Sequence, residues 1–285
     1  MALLAHTLAL LAMMVVTVAN EVKPLDMAGD SFDDQYQGCG PAMTSALPAL
    51  NRSEFKKNPL FAQVWVKAAA KWQSRGPPES PLSPDQATAI IAFTMNGLDI
   101  MFNNALRVAG RSPQEYWYNF HYKTFHFLLT DALVTLRDAL RGNCKELFHQ
   151  MCGVQFKAKR GSIIRFGEFT SMSLSGETMD CPGKETRFQV YTCQGVEIAF
   201  FSGNSQNWGL LIPPFETFEV IQVTETGDKA VIQLQSTGTY SKYNCEWLQG
   251  DTTGDSLGGS VPNAPFHLGG FLLAITALAV ATGIH

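Results

Sequence analysis

The sequence predicts an α+β fold with helices in its first half and strands in its second. Up to Gly142 apolar residues recur at helical spacing, after it they fall in short β-rich runs, and the two patterns do not alternate as βαβ units would. From Glu54 to Arg75 the apolar positions are Phe55, Leu60, Phe61, Val64, Val66 and Ala68, and Gly76-Pro77-Pro78 stops the segment. Ser83-Pro84 then supplies a cap and a first-turn proline for a helix through Ala87, Ile90, Ile91 and Phe93. The strongest period runs from His121 to Arg141, where Phe125, Leu128, Leu129, Ala132, Leu133, Leu136 and Leu140 share one face and Gly142 closes the helix. The expected strands are Glu146 to Phe148, Val154 to Lys157, Ile163 to Phe169, Arg187 to Cys193, Glu197 to Phe201, Leu210 to Ile212, Phe218 to Thr224 and Ala230 to Gln235.

A chain of 285 residues that is 46% hydrophobic and 16% charged has enough apolar material for one large or two small cores, which excludes disorder. Lys plus Arg is 21 and Asp plus Glu is 25, for a net charge of -4 with no long block of like charges, so a nucleic-acid partner held through phosphates is not expected.

The two ends read as addresses. Met1 to Ala19 is apolar, too short to span a bilayer and ends in small residues, as a cleaved signal peptide does. Leu268 to Ile284 is again apolar, no Lys or Arg follows it, and small residues from Gly254 to Ser260 with a polar spacer precede it. That order is expected of a glycolipid (GPI) anchor signal within a spacer and tail at 251–285; a C-terminal transmembrane anchor is the alternative, and either places the protein on the extracellular face of the membrane. Between the ends, 20–250 is a length that a single domain fills.

Six cysteines, at 39, 144, 152, 181, 193 and 245, agree with an oxidising compartment. Asn51-Arg52-Ser53 is a glycosylation sequon expected at an exposed position. His121 and His126 are five apart rather than four, a poor spacing for a metal pair on one helix face, and no metal site is expected. Phosphate-loop, CxxC and HExxH motifs are absent from the sequence.

Several strings together resemble the vertebrate cell-surface arginine-specific mono-ADP-ribosyltransferases: Ser31 to Cys39 (SFDDQYQGC), Tyr122 to Leu129 (YKTFHFLL), Ile164 to Leu174 (IRFGEFTSMSL), Leu211 to Val220 (LIPPFETFEV) and Tyr243-Asn244-Cys245. The resemblance covers almost the whole chain between its processed ends. It implies a helical N-terminal half followed by a mainly antiparallel β core whose cleft binds NAD, and transfer of ADP-ribose from NAD to arginines of extracellular proteins. It also implies the disulfides Cys39–Cys245 and Cys144–Cys193, leaving Cys152 and Cys181 for a third.

Transfer from NAD breaks the bond between ribose and nicotinamide through an oxocarbenium-like transition state, so a carboxylate must face the developing positive charge. The family meets this with a Glu-x-Glu pair just before the LIPP string, an Arg in a V-[FY]-R-G string that holds the NAD phosphate, and a Ser in an F-x-S-x-S string. Phe169 to Leu174 keeps the serine form, which assigns Ser171 to the catalytic position, with Ser173 beside it and Arg165 expected on the same strand as cofactor contacts. The other elements depart. Asn207 and Gly209 stand at the two acidic positions, no carboxylate occurs from Gly203 to Phe215, and Leu147-Phe148-His149-Gln150 places His149 where the phosphate-binding Arg belongs. Loss of one electrostatic stabiliser costs about 2–4 kcal/mol of transition-state energy. Glu197 and Glu216 are the nearest acids, and Trp208, beside Gly209, reads as a loop anchor or a stacking surface for a ring. Three readings follow: an enzyme that still modifies arginines, a catalytically inactive, membrane-anchored surface protein on the same scaffold with a protein ligand of its own, or an NAD-binding module without chemistry, which titration with NAD separates from the second.

Overall fold

The computed structural model describes residues 21–75, 80–95, 97–140, 142–202 and 209–250. The signal segment, the C-terminal tail, Asn207 and Trp208 therefore lie outside the described residues. Among the described residues no helix is long and apolar enough to cross a membrane.

Five helices fill the first half: α1 (Gly40–Lys57), α2 (Pro59–Ser74), α3 (Pro84–Phe93), α4 (Leu98–Ala109) and α5 (Lys123–Ala139), with a π-helical turn at Glu115–Asn119. The segment expected as one helix from Glu54 is broken at Asn58. Pro59 has no N–H to continue α1 and forces the residue before it out of helical geometry, so Asn58 ends α1 and its side chain accepts from Phe61 N to start α2. Ser83 caps α3 as expected, in a reciprocal box with Gln86. No side chain of its own caps α5; Glu54 reaches across from α1 and accepts from the amides of Lys123 (2.6 Å) and Thr124 (2.9 Å). Gly142 closes the other end of α5 by donating to Arg137 O. Asn51 of the sequon sits on α1, half-buried with its Oδ1 out of contact with water, rather than at a fully exposed position.

Strands follow, preceded by β1 (Glu21–Pro24): β2 (Lys145–Cys152), β3 (Val154–Lys157), β4 (Ile163–Ile164), β5 (Thr170–Met172), β6 (Glu185–Thr192), β7 (Val196–Glu197), β8 (Leu210–Ile212), β9 (Glu216–Thr226) and β10 (Lys229–Thr239), then a short α6 (Glu246–Gln249). A five-stranded sheet has the order β2-β6-β10-β9-β4, a three-stranded sheet β5-β8-β7, and β1 pairs with β3. Pairing is mainly antiparallel, with β1/β3 and β6/β10 parallel. The single strand expected from Ile163 to Phe169 is two. After Ile164 the chain turns a corner at Gly167, whose φ of +68° and contact with Ala28 exclude a side chain, and resumes as β5 in the other sheet. The expected strand from Glu197 to Phe201 is only β7 followed by a 3-10 turn at Ala199–Phe201.

Two apolar cores result. One joins the helices around Phe32, Phe61, Phe93, Phe102 and Phe125; the other lies between the sheets around Leu147, Met172, Phe188, Phe218 and Ile232. The all-apolar β8 belongs to both: Leu211 packs into the helical core, Leu210 and Ile212 into the sheet core, as period-two alternation requires of a strand buried on both faces. Asp33 and Asp34 tie the chain's two ends together. Asp33 accepts from the amides of Lys242 and Tyr243, and Asp34 from those of Cys245 and Glu246, next to the Cys39–Cys245 disulfide. The Cys144–Cys193 and Cys152–Cys181 bridges complete the set.

His126 on α5 is fully buried among Phe32, Phe120 and Phe169, with Nδ1 2.7 Å from Tyr36 Oη. Burial pulls its pKa from 6.5 to about 3, so below pH 6.5 the unfolded chain takes up a proton that the folded chain refuses. Its contribution to stability is whole above about pH 6.5 and falls away as pH drops toward 3. Replacement of His126 by Gln should flatten the acid limb of a stability profile measured by denaturant unfolding over that range; an unchanged limb would refute the assignment.

Candidate functional site

The site is assembled at the seam where β2 meets β5. Phe148 N donates to Ser173 O (2.8 Å) and Ser173 N to Phe148 O (2.9 Å), which sets the strand carrying His149 against the one carrying Ser171. Above this seam opens a cleft of about 590 Å³. His149, Ser171 and Ser173 all line it, so three of the expected residues come together. Its walls are completed by Phe148, Met172, Phe188 and Val231 from the strands and by Ser175 to Met179 from the loop after β5.

His149 is half-buried on β2 opposite Phe188. Burial pushes its imidazole below the usual 6.5, so it is neutral near pH 7 and does not supply the charge of an arginine. Ser171 sits on β5 between the buried Thr170 and Met172, is itself half-buried, and lines the cleft. Ser173 Oγ accepts from Ser175 N (3.0 Å) and shapes the start of the loop.

Arg165 goes elsewhere. The corner at Gly167 puts it at the end of β4, off the strand of Ser171, and its guanidinium is buried in an ion pair with Asp33. It also donates to the carbonyls of Met27 (2.9 Å) and Tyr240 (3.0 Å), and it is not among the residues that line the cleft. A charged residue in a strand motif reads as accessible in sequence, and nothing local revealed a partner at Asp33.

The Gly209 position is closed as well as empty. Antiparallel pairing of Met172 with Leu210 brings the two backbones together, and a Cβ on Gly209 would overlap the Met172 carbonyl oxygen while lying 3.1 Å from its carbonyl carbon and 3.3 Å from Ser173 Cα. Neither neighbouring acid lines the cleft. Glu216 is buried and occupied by Thr192 Oγ1 (2.6 Å), Cys193 N (2.7 Å) and Gln194 N (3.1 Å), and its pKa is raised by burial; Glu197 lies 3.8 Å from Lys145. The carboxylate that does line the cleft is the exposed Glu177.

Glu177, Gln150 and Arg187 are among the lining residues that the sequence did not single out for the site. Gln150 stands where the family string has glycine, and its amide clasps the loop, accepting from Met179 N (2.9 Å) and donating to Met179 O (2.8 Å). The Cys152–Cys181 bridge fastens the same loop two residues farther along, from Cys152 on β2 to Cys181 in the loop. Among the described residues no cluster of His, Cys, Asp or Glu could hold a metal ion.

A sequence model described as NAD:arginine ADP-ribosyltransferase matches residues 25–242. The erythroblast NAD(P)(+)–arginine ADP-ribosyltransferase of Gallus gallus is 45% identical over 229 residues, covering 79% of this chain and 76% of that protein. The GPI-linked NAD(P)(+)–arginine ADP-ribosyltransferase 1 of Mus musculus is 40% identical over 245 residues, covering 81% and 75%. Among solved structures, the eucaryotic mono-ADP-ribosyltransferase ART2.2 aligns with a TM-score of 0.66 and 30% identity over 78% of this chain and 98% of that one. Mutants of that protein have been solved in complex with NADH and with NAD.

Gly209→Ala should lower stability by about 1–3 kcal/mol, since even a methyl group must push β5 from β8. Thermal and denaturant unfolding measure this, and a neutral substitution would show that the strands yield.

Proposed function

The chain belongs to the NAD:arginine ADP-ribosyltransferase family, and from that premise we propose that it is a cell-surface member that keeps the dinucleotide cleft but has lost transfer to arginine. The observation that carries the proposal is Gly209 packed against the Met172 carbonyl. The position assigned to the catalytic carboxylate holds no acid and leaves no room for one without moving β5. His149, neutral through burial, leaves out a second contribution, a positive charge facing the NAD phosphate. Ser171 and Ser173 remain in the cleft as hydroxyl contacts for a ribose.

The family's reaction fixes what is missing. As the bond to nicotinamide lengthens, positive charge grows on the ribose, and an apposed carboxylate stabilises it more than it stabilises the ground state. Hydroxyls orient the sugar without supplying that difference. Absence of the carboxylate costs about 2–4 kcal/mol, a hundredfold to a thousandfold in rate.

An extracellular address is supported by the GPI-linked relatives, by the apolar segments at both ends of the sequence and by three disulfides. On this reading the membrane attachment is the lipid anchor, and the partner is a protein ligand of the surface rather than an arginine substrate.

A second reading has one observation in its favour: Glu177 lines the cleft and could serve as the carboxylate of a retained transferase acting on arginines of extracellular proteins. Nicotinamide release and ADP-ribosylation of a small guanidino acceptor, with NAD in excess, separate the two. The proposal expects turnover of the full-length protein no higher than that of its Ser171→Ala variant. Turnover above that control, abolished by Glu177→Gln, would establish the second reading instead.

A further inference from the structure

We propose that Arg187 is a phosphate anchor of the cleft, taking the diphosphate of a dinucleotide at a point of its own, on the sheet face opposite to that of His149; this rests on the reading that the cleft still binds NAD. Arg187 lies on β6 directly opposite Gln150, so strand alternation sets it with Gln150 and Val231 on one face while His149 and Phe188 share the other, and it lines the cleft that His149, Ser171 and Ser173 also line. It is the only Lys or Arg among the described residues of the lining.

Its guanidinium is fixed at one end. Nε donates to Glu185, whose side chain is 1% exposed and is further held by Gln150 Nε2 (3.0 Å) and Lys229 Nζ (3.3 Å). Among the described residues no partner is recorded for Nη1 and Nη2, and the side chain is 36% exposed. One carboxylate shared by two cations leaves this group with a net charge of +1, so the pairing orients Arg187 without cancelling the positive charge. A planar fork with one edge held and the other open suits two phosphate oxygens better than a flexible ammonium does. Gln150 ties the anchor to the opposite wall, because the same amide that contacts Glu185 clasps Met179 of the loop.

The test is titration calorimetry of the full-length protein with NAD and with ADP-ribose, which carries the diphosphate without nicotinamide, and with inorganic pyrophosphate as competitor. The native protein should bind both NAD and ADP-ribose and release ADP-ribose to pyrophosphate. Arg187→Gln should weaken ADP-ribose by about tenfold to a hundredfold and abolish the competition. Arg187→Lys keeps the pairing with Glu185 but not the fork; it guards against misfolding of the first variant and should lose severalfold. Native-like binding of ADP-ribose by Arg187→Gln would overturn the anchor while leaving the NAD cleft standing. A native protein that binds neither NAD nor ADP-ribose would overturn both.

Discussion

The pairing of β5 with β8 is the constraint on which the rest of the molecule depends. β8 is the one strand whose faces feed both cores, with Leu211 toward the helices and Leu210 and Ile212 toward the large sheet. Its partner β5 carries Ser171 and runs directly into the bridge with Phe148, so the register that closes the cores also places the cleft. Because Gly209 opens β8 against the carbonyl of Met172, this register leaves no space for a side chain at the position where the family's chemistry needs one. On the proposed reading, packing and the loss of catalysis are two consequences of the same close approach.

Around that seam the electrostatics have been redistributed rather than removed. Arg165, retained in the motif, is committed to Asp33 and to backbone carbonyls that hold the corner at Gly167. His149 is neutral by burial. The cation that remains in the cleft is Arg187, held from behind by Glu185, and the only acid in the lining, among the described residues, is Glu177 on the clasped loop. A cleft of this kind can hold an anion and a sugar, and it lacks the apposed buried carboxylate that would draw charge onto that sugar.

Much of this was legible in the sequence where a pattern was long or a motif specific. α5 was found because its apolar period persists for several turns, α3 because Ser83 and Pro84 mark its start, and His149, Ser171 and Ser173 because the strings around them keep their spacing. Failures came where local pattern and tertiary demand diverge. The apolar spacing runs straight through Asn58-Pro59, although proline stereochemistry ends the helix there. Phe166 and Phe169 continue the β-like run past a corner that only contact with Ala28 reveals. α4 has apolar residues at Leu98, Phe102 and Leu106 but starts from a left-handed glycine with no capping side chain, and so carried no start signal. Arg187 and Gln150 became visible only when β2 and β6 were laid side by side, since residues far apart in sequence meet there by register alone.

The most direct test of the account is a crystal structure of the protein after prolonged incubation with NAD. Intact NAD in the cleft, its diphosphate at Arg187 and the strands at Gly209 and Met172 still in contact, is the predicted result. ADP-ribose without nicotinamide in the cleft, or an arginine carrying ADP-ribose, would contradict the claim that closure at Gly209 has ended the chemistry.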